Sequence, residues 1–529
     1  MNSTSGPYAL TSLSQVARRA VAQRDWTTVA ACAETIKKQY RKDPEGFFLS
    51  GLVDKARRDT KSAAVAFAKA LSLDARRYDA AIELASQYVL LLRHGEAADL
   101  LRRYESKLDN SPLYLHLAAS TYSRLGLHGR AWPLYHKADR LQPGVDSIRA
   151  DLAACSVLVG RIEEARTIYR ELLDKYPHHQ RNHYELSRLA RARDASHVEQ
   201  MLRVLEETRL PPKKNIFLYY AIGKELEDLE RWDEAFGYYE LAGDTISNIT
   251  DYDVASDIAP IDKTIEVCSA AWLEEPGGGG QDGKWNTTPI FIVGLPRTGT
   301  TLLERIIASH SRVETADETF FLQMAIRHAA VGAGAGEVTP EIIGQAAQKN
   351  IRSIAGKYMS WVDYRLGGRP FFIDKYPLNF LYLGFIAKAF PGARLIHMRR
   401  NPMDACFALY KQSFFKFAYT LEDLGRYYVA FERLRRHWQD LLQDRLLEID
   451  YEKLVADQEG QTRALLDRMG LPFEQACLEF ERNTMPSASA STVQVREKIH
   501  TRSVGKWQHF RSQLQPLKDY LEQAGIKTE

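Results

Sequence analysis

The sequence predicts an all-α helical repeat array followed by an α/β domain with a parallel sheet in three layers. Two observations carry this. A small residue recurs every 34 positions in the first half, at Ala63, Ala97, Ala131 and Ala165. In the second half, four short β-branched or aromatic runs alternate with helical stretches, and each run ends in polar residues. With 529 residues, more than one core is expected.

The repeat period is more than one residue deep. Four positions beyond each alanine stand Phe67, Leu101, Tyr135 and Tyr169, and seven beyond stand Ala70, Tyr104, Ala138 and Leu172. Gly126 and Gly160 keep the same period, as do Pro143 and Pro177. Val29, Ala33 and Ile36 extend the series backward. Ala235, Tyr239 and Ala242 extend it forward, two residues out of phase, across a weaker unit near Glu199. Such a period suits a helix–turn–helix unit that cannot bury its own apolar face: small residues let helices approach, aromatics fill the gap, and proline ends the second helix. The pattern resembles tetratricopeptide (TPR) repeats over residues 10–248. That resemblance implies a groove for a protein partner, a brace for the second domain or a dimer contact, and the sequence singles out no binding residue in this half.

Residues 251–275 read as a helical connection, and the glycine-rich 276–283 as a flexible excursion. The domains are therefore expected at 10–248, 249–284 (connection and Gly-rich loop) and 285–529.

The second domain opens with Pro289-Ile290-Phe291-Ile292-Val293-Gly294, the composition of a buried parallel strand. It runs into Gly294-Leu295-Pro296-Arg297-Thr298-Gly299-Thr300-Thr301 and then an apolar helix. Strand, Gly-bounded loop and helix N-terminus together form a P-loop-like anion cradle. A nucleoside-triphosphate loop carries lysine after its second glycine; here Thr300 stands there and the cation is Arg297. A kinase, with its Mg²⁺ and ATP, is disfavoured on that ground.

Pro296-Arg297-Thr298-Gly299-Thr300-Thr301 resembles the 5′-phosphosulfate loop of sulfotransferases that use PAPS (3′-phosphoadenosine 5′-phosphosulfate), in the arginine form of the tyrosylprotein sulfotransferases and of bacterial proteins that join TPR repeats to such a domain. Further strands are expected at 369–375, 394–400 and 446–451, with their polar ends on one sheet edge. Those ends resemble the family's landmarks in order. Arg400-Asn401-Pro402 is similar to the 3′-phosphate motif, Tyr451 to the tyrosine near the adenine, and Ser503-Val504-Gly505-Lys506-Trp507 to the loop that covers the nucleotide. The motif's serine, eight residues after the arginine, is Ala408 here, so Ser413 or backbone groups would have to replace its hydroxyl.

The resemblance, which covers residues 285–510, implies the sulfotransferase fold and a PAPS-dependent sulfotransferase that moves a sulfuryl group to a hydroxyl, on a protein tyrosine or a glycan, with no metal required. It casts Arg297 and Lys375 as the cations and Glu318 as the base, with Asp317 the alternative because a one-residue shift exchanges them. The donor-binding residues are then Pro296, Arg297, Thr298, Gly299, Thr300, Thr301, Arg400, Tyr451, Ser503 and Lys506. The competing expectation is a TPR scaffold whose sulfotransferase-like domain is inactive, supported only by Ala408. Residues 330–368 are expected as acceptor-side loops, and 412–428 as an amphipathic helix.

A formal net charge of +3 argues against a dedicated nucleic-acid binder. Five scattered cysteines without a CxxC pair fit a reducing compartment, and no apolar run approaches the ~20 residues of a membrane span. The expectation is a cytoplasmic protein.

Overall fold

The computed structural model describes residues 7–108, 110–275, 285–332, 336–489 and 491–529. The expected excursion at 276–283 lies outside them. The chain divides into two compact units, one up to Val159 and one from Gly160.

In the first unit, helices follow one another through short turns, from Pro7–Gln23 to Asp146–Leu158. The periodic alanines explain why the pairs close. Ala63, Ala97 and Ala131 have no exposed surface, and Phe67, Leu101 and Tyr135 are buried beside them. A Cβ on Gly51 would stand 2.6 Å from the Phe67 ring, so the helices Pro44–Ala56 and Thr60–Leu73 meet at a residue without a side chain. One turn position shows the period most sharply. Arg24, Arg58, Leu92, Gly126 and Gly160, each 34 residues apart, all have φ between 57° and 84°. Glycine takes that left-handed region without steric cost, whereas the other three residues do so at a cost of about 1–2 kcal/mol.

The second unit begins with more helices, Ile162–Lys175, Gln180–Ser187, Ser196–Thr208, Ile216–Asp228 and Trp232–Ile249. The connection then folds as Ala255–Val267 and Ala270–Glu274. Helix Trp232–Ile249 lies directly on the chain at 419, since a Cβ on Gly243 would meet the Tyr419 carbonyl. Phe236 stacks on Tyr410, with ring centres 5.6 Å apart.

Among the described residues the sheet has five parallel strands: β1 (Thr288–Val293), β2 (Val313–Thr315), β3 (Phe371–Asp374), β4 (Arg394–Arg399) and β5 (Leu446–Asp450). Their order is β2-β3-β1-β4-β5, so β1 is central and the chain reverses its direction of travel across the sheet there. Its registers are Ile290 opposite Ile373 and Ile290 opposite Arg394. Alternate residues divide between two cores. Ile290, Ile292, Ile373 and Ile396 face helices Thr300–Ala308 and Gln458–Met469, while Phe291, Val293, Phe372 and Leu395 face the helices at 321–362 and 421–442. Three layers result. Because all the strands are parallel, their C-terminal ends share one edge, where ligands of such sheets bind.

Two expectations are corrected. Residues 330–368 are not chiefly loop: Pro340–Ala347 and Ile351–Val362 are helices. Their apolar residues Ile342, Ile343, Ala346, Ile351, Ile354, Ala355, Tyr358 and Val362 recur at helical spacing and are buried. Residues 412–428 are not one helix either. The helix Pro402–Tyr410 stops, and a new helix, Leu421–Leu442, starts where the Thr420 side chain accepts the Asp423 N–H. All five cysteines are buried free thiols. No helix among the described residues is long and apolar enough to cross a membrane.

Candidate functional site

The loop after β1 is shaped by close backbone approaches. Gly294 has φ 147°, and a Cβ there would lie 2.5 Å from the Met398 carbonyl oxygen. Gly299 has φ 103°, and a Cβ there would lie 2.6 Å from the Tyr451 ring. Both glycines are therefore required by space as well as by conformation. Between them Pro296 is buried, and the Thr298 hydroxyl donates to the Leu295 carbonyl at 2.7 Å. Thr300 and Thr301 open helix Thr300–Ala308 and are almost fully buried.

Arg297 sits at φ 68°, a left-handed conformation unusual for arginine. Its backbone is held by Arg400, whose Nη1 donates to the Arg297 carbonyl at 2.9 Å. The other arm of Arg400, Nη2, donates to the Ser503 carbonyl at 2.5 Å, and its guanidinium lies 5.0 Å from the Tyr451 ring centre. One arginine thus ties the 294–299 loop, the end of β5 and the late loop at 503–507 together. The side chain of Arg297 donates to Ser491 Oγ at 2.6 Å and to Gln494 Oε1 at 3.4 Å. Both guanidiniums face neutral acceptors, and the buried Nε atoms of Arg297 and Arg400 have no hydrogen-bond partner among the described residues. Burial, with Arg188 and Arg400 nearby, lowers the Arg297 pKa to about 10.

The late loop is fixed by Asp404, whose carboxylate accepts from the backbone N–H of Gly505 at 2.6 Å and of Trp507 at 3.1 Å. Asn401 caps helix Pro402–Tyr410 through Met403 and Asp404. Ser413 lies in the turn beyond that helix, and its carbonyl accepts from the Tyr419 hydroxyl at 3.0 Å. Lys506 pairs with Glu227, a contact across almost 280 residues of chain.

A second cluster gathers at the end of β3. Lys375 follows Asp374 and has no exposed surface. Its ammonium donates to Glu318 Oε1 and lies 3.6 Å from Glu304 Oε2. Asp317 points elsewhere: its Oδ2 accepts from the Ala488 N–H at 2.9 Å. Burial would lower the Lys375 pKa, but Glu318 and Glu304 outweigh it and raise the value. Asp374 is wholly buried and accepts from Thr319 Oγ1 and Tyr358 OH, each at 2.8 Å, and from Asn379 at 3.2 Å. It therefore holds the 316–319 segment against the tip of β3. Burial lifts its pKa to about 6.

Glu304 did not emerge from the sequence. It lies on the loop helix with 3% exposure, bonded to Thr315 Oγ1 at 2.6 Å, and burial raises its pKa to about 7. The available signal was a charged pair, Glu304-Arg305, inside an otherwise apolar helix. Arg305 fastens the same helix to the Asn483 and Met485 carbonyls.

A cleft of about 1360 Å³ opens beside the late loop, lined by Arg188, Gln494, Ser503 and Lys506 and by Glu227 of the repeat helices. Arg297, Lys375 and Glu318 are not among its lining residues.

Residues 289–475 match the sulfotransferase family model, so the C-terminal part of the chain carries a sulfotransferase-family domain. An uncharacterized protein of Aquifex aeolicus (strain VF5) is 29% identical over 446 residues, covering 81% of this chain and 57% of that one. Protein-tyrosine sulfotransferase 1 of Danio rerio is 25% identical over 240 residues, covering 41% of this chain and 65% of its own. The match thus spans less than two thirds of either relative. Among solved structures, the sulfotransferase domain from the Synechococcus PCC 7002 olefin synthase aligns at TM-score 0.33 with 22% identity, over 43% of this chain and 90% of that one.

Proposed function

We propose that the C-terminal domain transfers a sulfuryl group from PAPS to a hydroxyl acceptor, a protein tyrosine or a glycan, with the TPR repeats serving to bind a partner or substrate. The carrying observation is the pairing of Lys375 with Glu318 at the edge of the sheet that also presents the 294–299 loop. The residues present fit an anionic donor. The loop leaves no room for a Cβ at Gly294 or Gly299, and two buried guanidinium Nε atoms have no partner among the described residues.

Pro296, Arg297, Thr298, Gly299, Thr300 and Thr301 would hold the phosphosulfate end, and Arg400, Tyr451, Ser503 and Lys506 the nucleotide end. When bound, PAPS supplies the activated sulfuryl group. Arg297 and Lys375 place positive charge where it offsets the charge growing on the leaving phosphate oxygen. Glu318 Oε2 is assigned the acceptor's proton, while Oε1 holds Lys375. Asp317, engaged by Ala488, serves instead to shape the loop. The inactive-scaffold reading keeps one observation, the missing hydroxyl at Ala408.

The test has two readouts. Calorimetry with PAP, the desulfated product, measures the site, and transfer from ³⁵S-labelled PAPS to tyrosine peptides and glycans measures the reaction. Glu318→Gln is expected to keep PAP affinity while lowering turnover about 10²–10⁴-fold. Absence of both PAP binding and labelled product in the wild type would refute the proposal. PAP binding without transfer to any acceptor would favour the scaffold.

A further inference from the structure

Three charged groups meet at the tip of β3, and they are not equally open. Lys375 has no exposed surface, the Glu304 side chain is 4% exposed and the Glu318 side chain 30%. Lys375 donates to Glu318 Oε1, whereas Glu304 Oε2 stands 3.6 Å from the ammonium and has no hydrogen-bond partner among the described residues. The other oxygen of Glu304 is fixed. Its Oε1 accepts from Thr315 Oγ1 at 2.6 Å, and Thr315 Oγ1 accepts from the Asp317 N–H at 2.8 Å. Glu304 is thus tied through the end of β2 to the segment that carries Glu318, and its second oxygen faces Lys375. The ammonium needs to move only about 1 Å to bond it. Consistent with a carboxylate that changes charge in the working range, burial raises the Glu304 pKa to about 7; Asp317 and Glu318 add to the rise, while Lys375 and Thr315 oppose it.

Proton uptake by Glu318 changes what holds Lys375. In the reaction proposed above, the acceptor's O–H proton passes to Glu318 Oε2 and the acceptor oxygen bonds to sulfur. The bond from sulfur to the donor's phosphate oxygen breaks, and its electron pair stays on that oxygen. Glu318 is then neutral. With Glu304 ionised, the two carboxylates and the ammonium pass from one net negative charge to none. With Glu304 neutral, they pass from none to one positive charge, a buried ammonium without an ionised partner, which is costly. We propose that Glu304 is the positioning residue of the Glu318–Lys375 pair, taking over the Lys375 ammonium as Glu318 accepts the acceptor's proton. This rests on the reading of Glu318 as the base and goes beyond it by adding a residue that touches neither donor nor acceptor. The ionised form of Glu304 is the working form, so turnover rises with pH as Glu304 ionises. The charged groups facing it are Lys375 at the end of β3, Asp317 and Glu318 beyond β2, and Arg305 on its own helix.

Turnover from ³⁵S-labelled PAPS and infrared titration of the full chain without ligand test it together. Wild-type kcat is expected to rise about five- to tenfold between pH 6 and pH 8. Glu304→Gln should flatten that rise and lower kcat about tenfold at pH 8, with PAP affinity by calorimetry unchanged. In the infrared spectrum, a carboxyl that ionises near pH 7 should be present in the wild type and absent from the variant. Thr315→Val removes a hydrogen bond that favours ionised Glu304, so the kinetic and infrared steps should both move to higher pH. That variant decides should Glu304→Gln fail to fold. A kinetic step that persists in Glu304→Gln, one that stays in place in Thr315→Val, or a wild type without the infrared step would overturn the role of Glu304 and leave the base reading intact. Full turnover in Glu318→Gln, or a wild type that transfers to no acceptor, would overturn the base reading and this proposal with it.

Discussion

Lys375→Met is the most informative perturbation of the candidate site, because its cost should depend on pH in a defined direction. Lys375 is fully buried between Glu318 and Glu304, with Asp317 near enough to contribute. At 3.6 Å, the Lys375–Glu304 attraction is about 4–5 kcal/mol at an effective dielectric of about 20. Breaking one side of a buried pair costs about 3–5 kcal/mol, which sets the expected loss at pH 8. Glu304 has a folded pKa near 7, above the ordinary carboxylate value. Its neutral form therefore supports the fold below about pH 4.5, and that support fades as the pH rises through 7. At pH 5 Glu304 is already protonated, and Lys375 loses one of its two close partners even in the wild type. Lys375→Met should thus cost about 1–2 kcal/mol less at pH 5 than at pH 8. Urea unfolding at the two pH values, followed by tryptophan fluorescence, reads this difference; urea is chosen because it is uncharged. Adding Glu304→Gln to Lys375→Met should recover most of the pH 8 loss, since no carboxylate is then stranded at that position. Equal destabilisation at pH 5 and pH 8, or no recovery in the double variant, would refute the reasoning.

Two further predictions concern the helices. Arg58→Gly and Leu92→Gly occupy the left-handed turn position that Gly126 and Gly160 also occupy, so each should stabilise the first unit by about 1 kcal/mol, read as a higher Tm; a lower Tm in both would show that side-chain contacts outweigh backbone strain. His183 is buried, donates to the Pro177 carbonyl and bonds His197, which in turn pairs with Glu225. Burial chiefly, with His197, His179 and His178 adding, lowers its pKa to about 4. A depressed histidine supports the fold above about pH 6.5 and loses that support as the pH falls toward 4, a loss of about 3 kcal/mol. Hydrogen exchange in helices 180–228 should therefore quicken between pH 6.5 and 4 beyond its intrinsic dependence, and His183→Gln should abolish the excess; an unaltered excess in the variant would assign it to another group.

Period and composition made the architecture legible because each recurring residue answers a local constraint. The alanines mark where helices touch, and the aliphatic runs of β1, β4 and β5 mark strands buried on both faces. The turn at Arg24, Arg58 and Leu92 was hidden, since those side chains tolerate the left-handed conformation without being selected by it. β2 was hidden as well, three residues being too few to show an alternation. Helices Pro340–Ala347 and Ile351–Val362 carry no chemical motif, and only their apolar spacing marks them in the sequence.

The candidate site divides along the same line. Residues that shape the backbone of the loop, such as Gly294 and Gly299, announce themselves because nothing larger fits. Residues that set the electrostatics do not, because a charge has meaning only beside its partner. Glu304 gains its role from Lys375, 71 positions away in the chain, and Glu227 gains its role from two lysines 184 and 279 positions away. Glu227 is a buried carboxylate that holds two ammonium groups, and its charge is matched by one of them. Replacing Glu227 by a neutral residue strands both ammonium groups and should cost about 3–5 kcal/mol in urea unfolding, whereas Lys411→Met leaves the carboxylate its Lys506 partner and should cost less. An equal loss in the two variants would show that the carboxylate depends on both lysines at once.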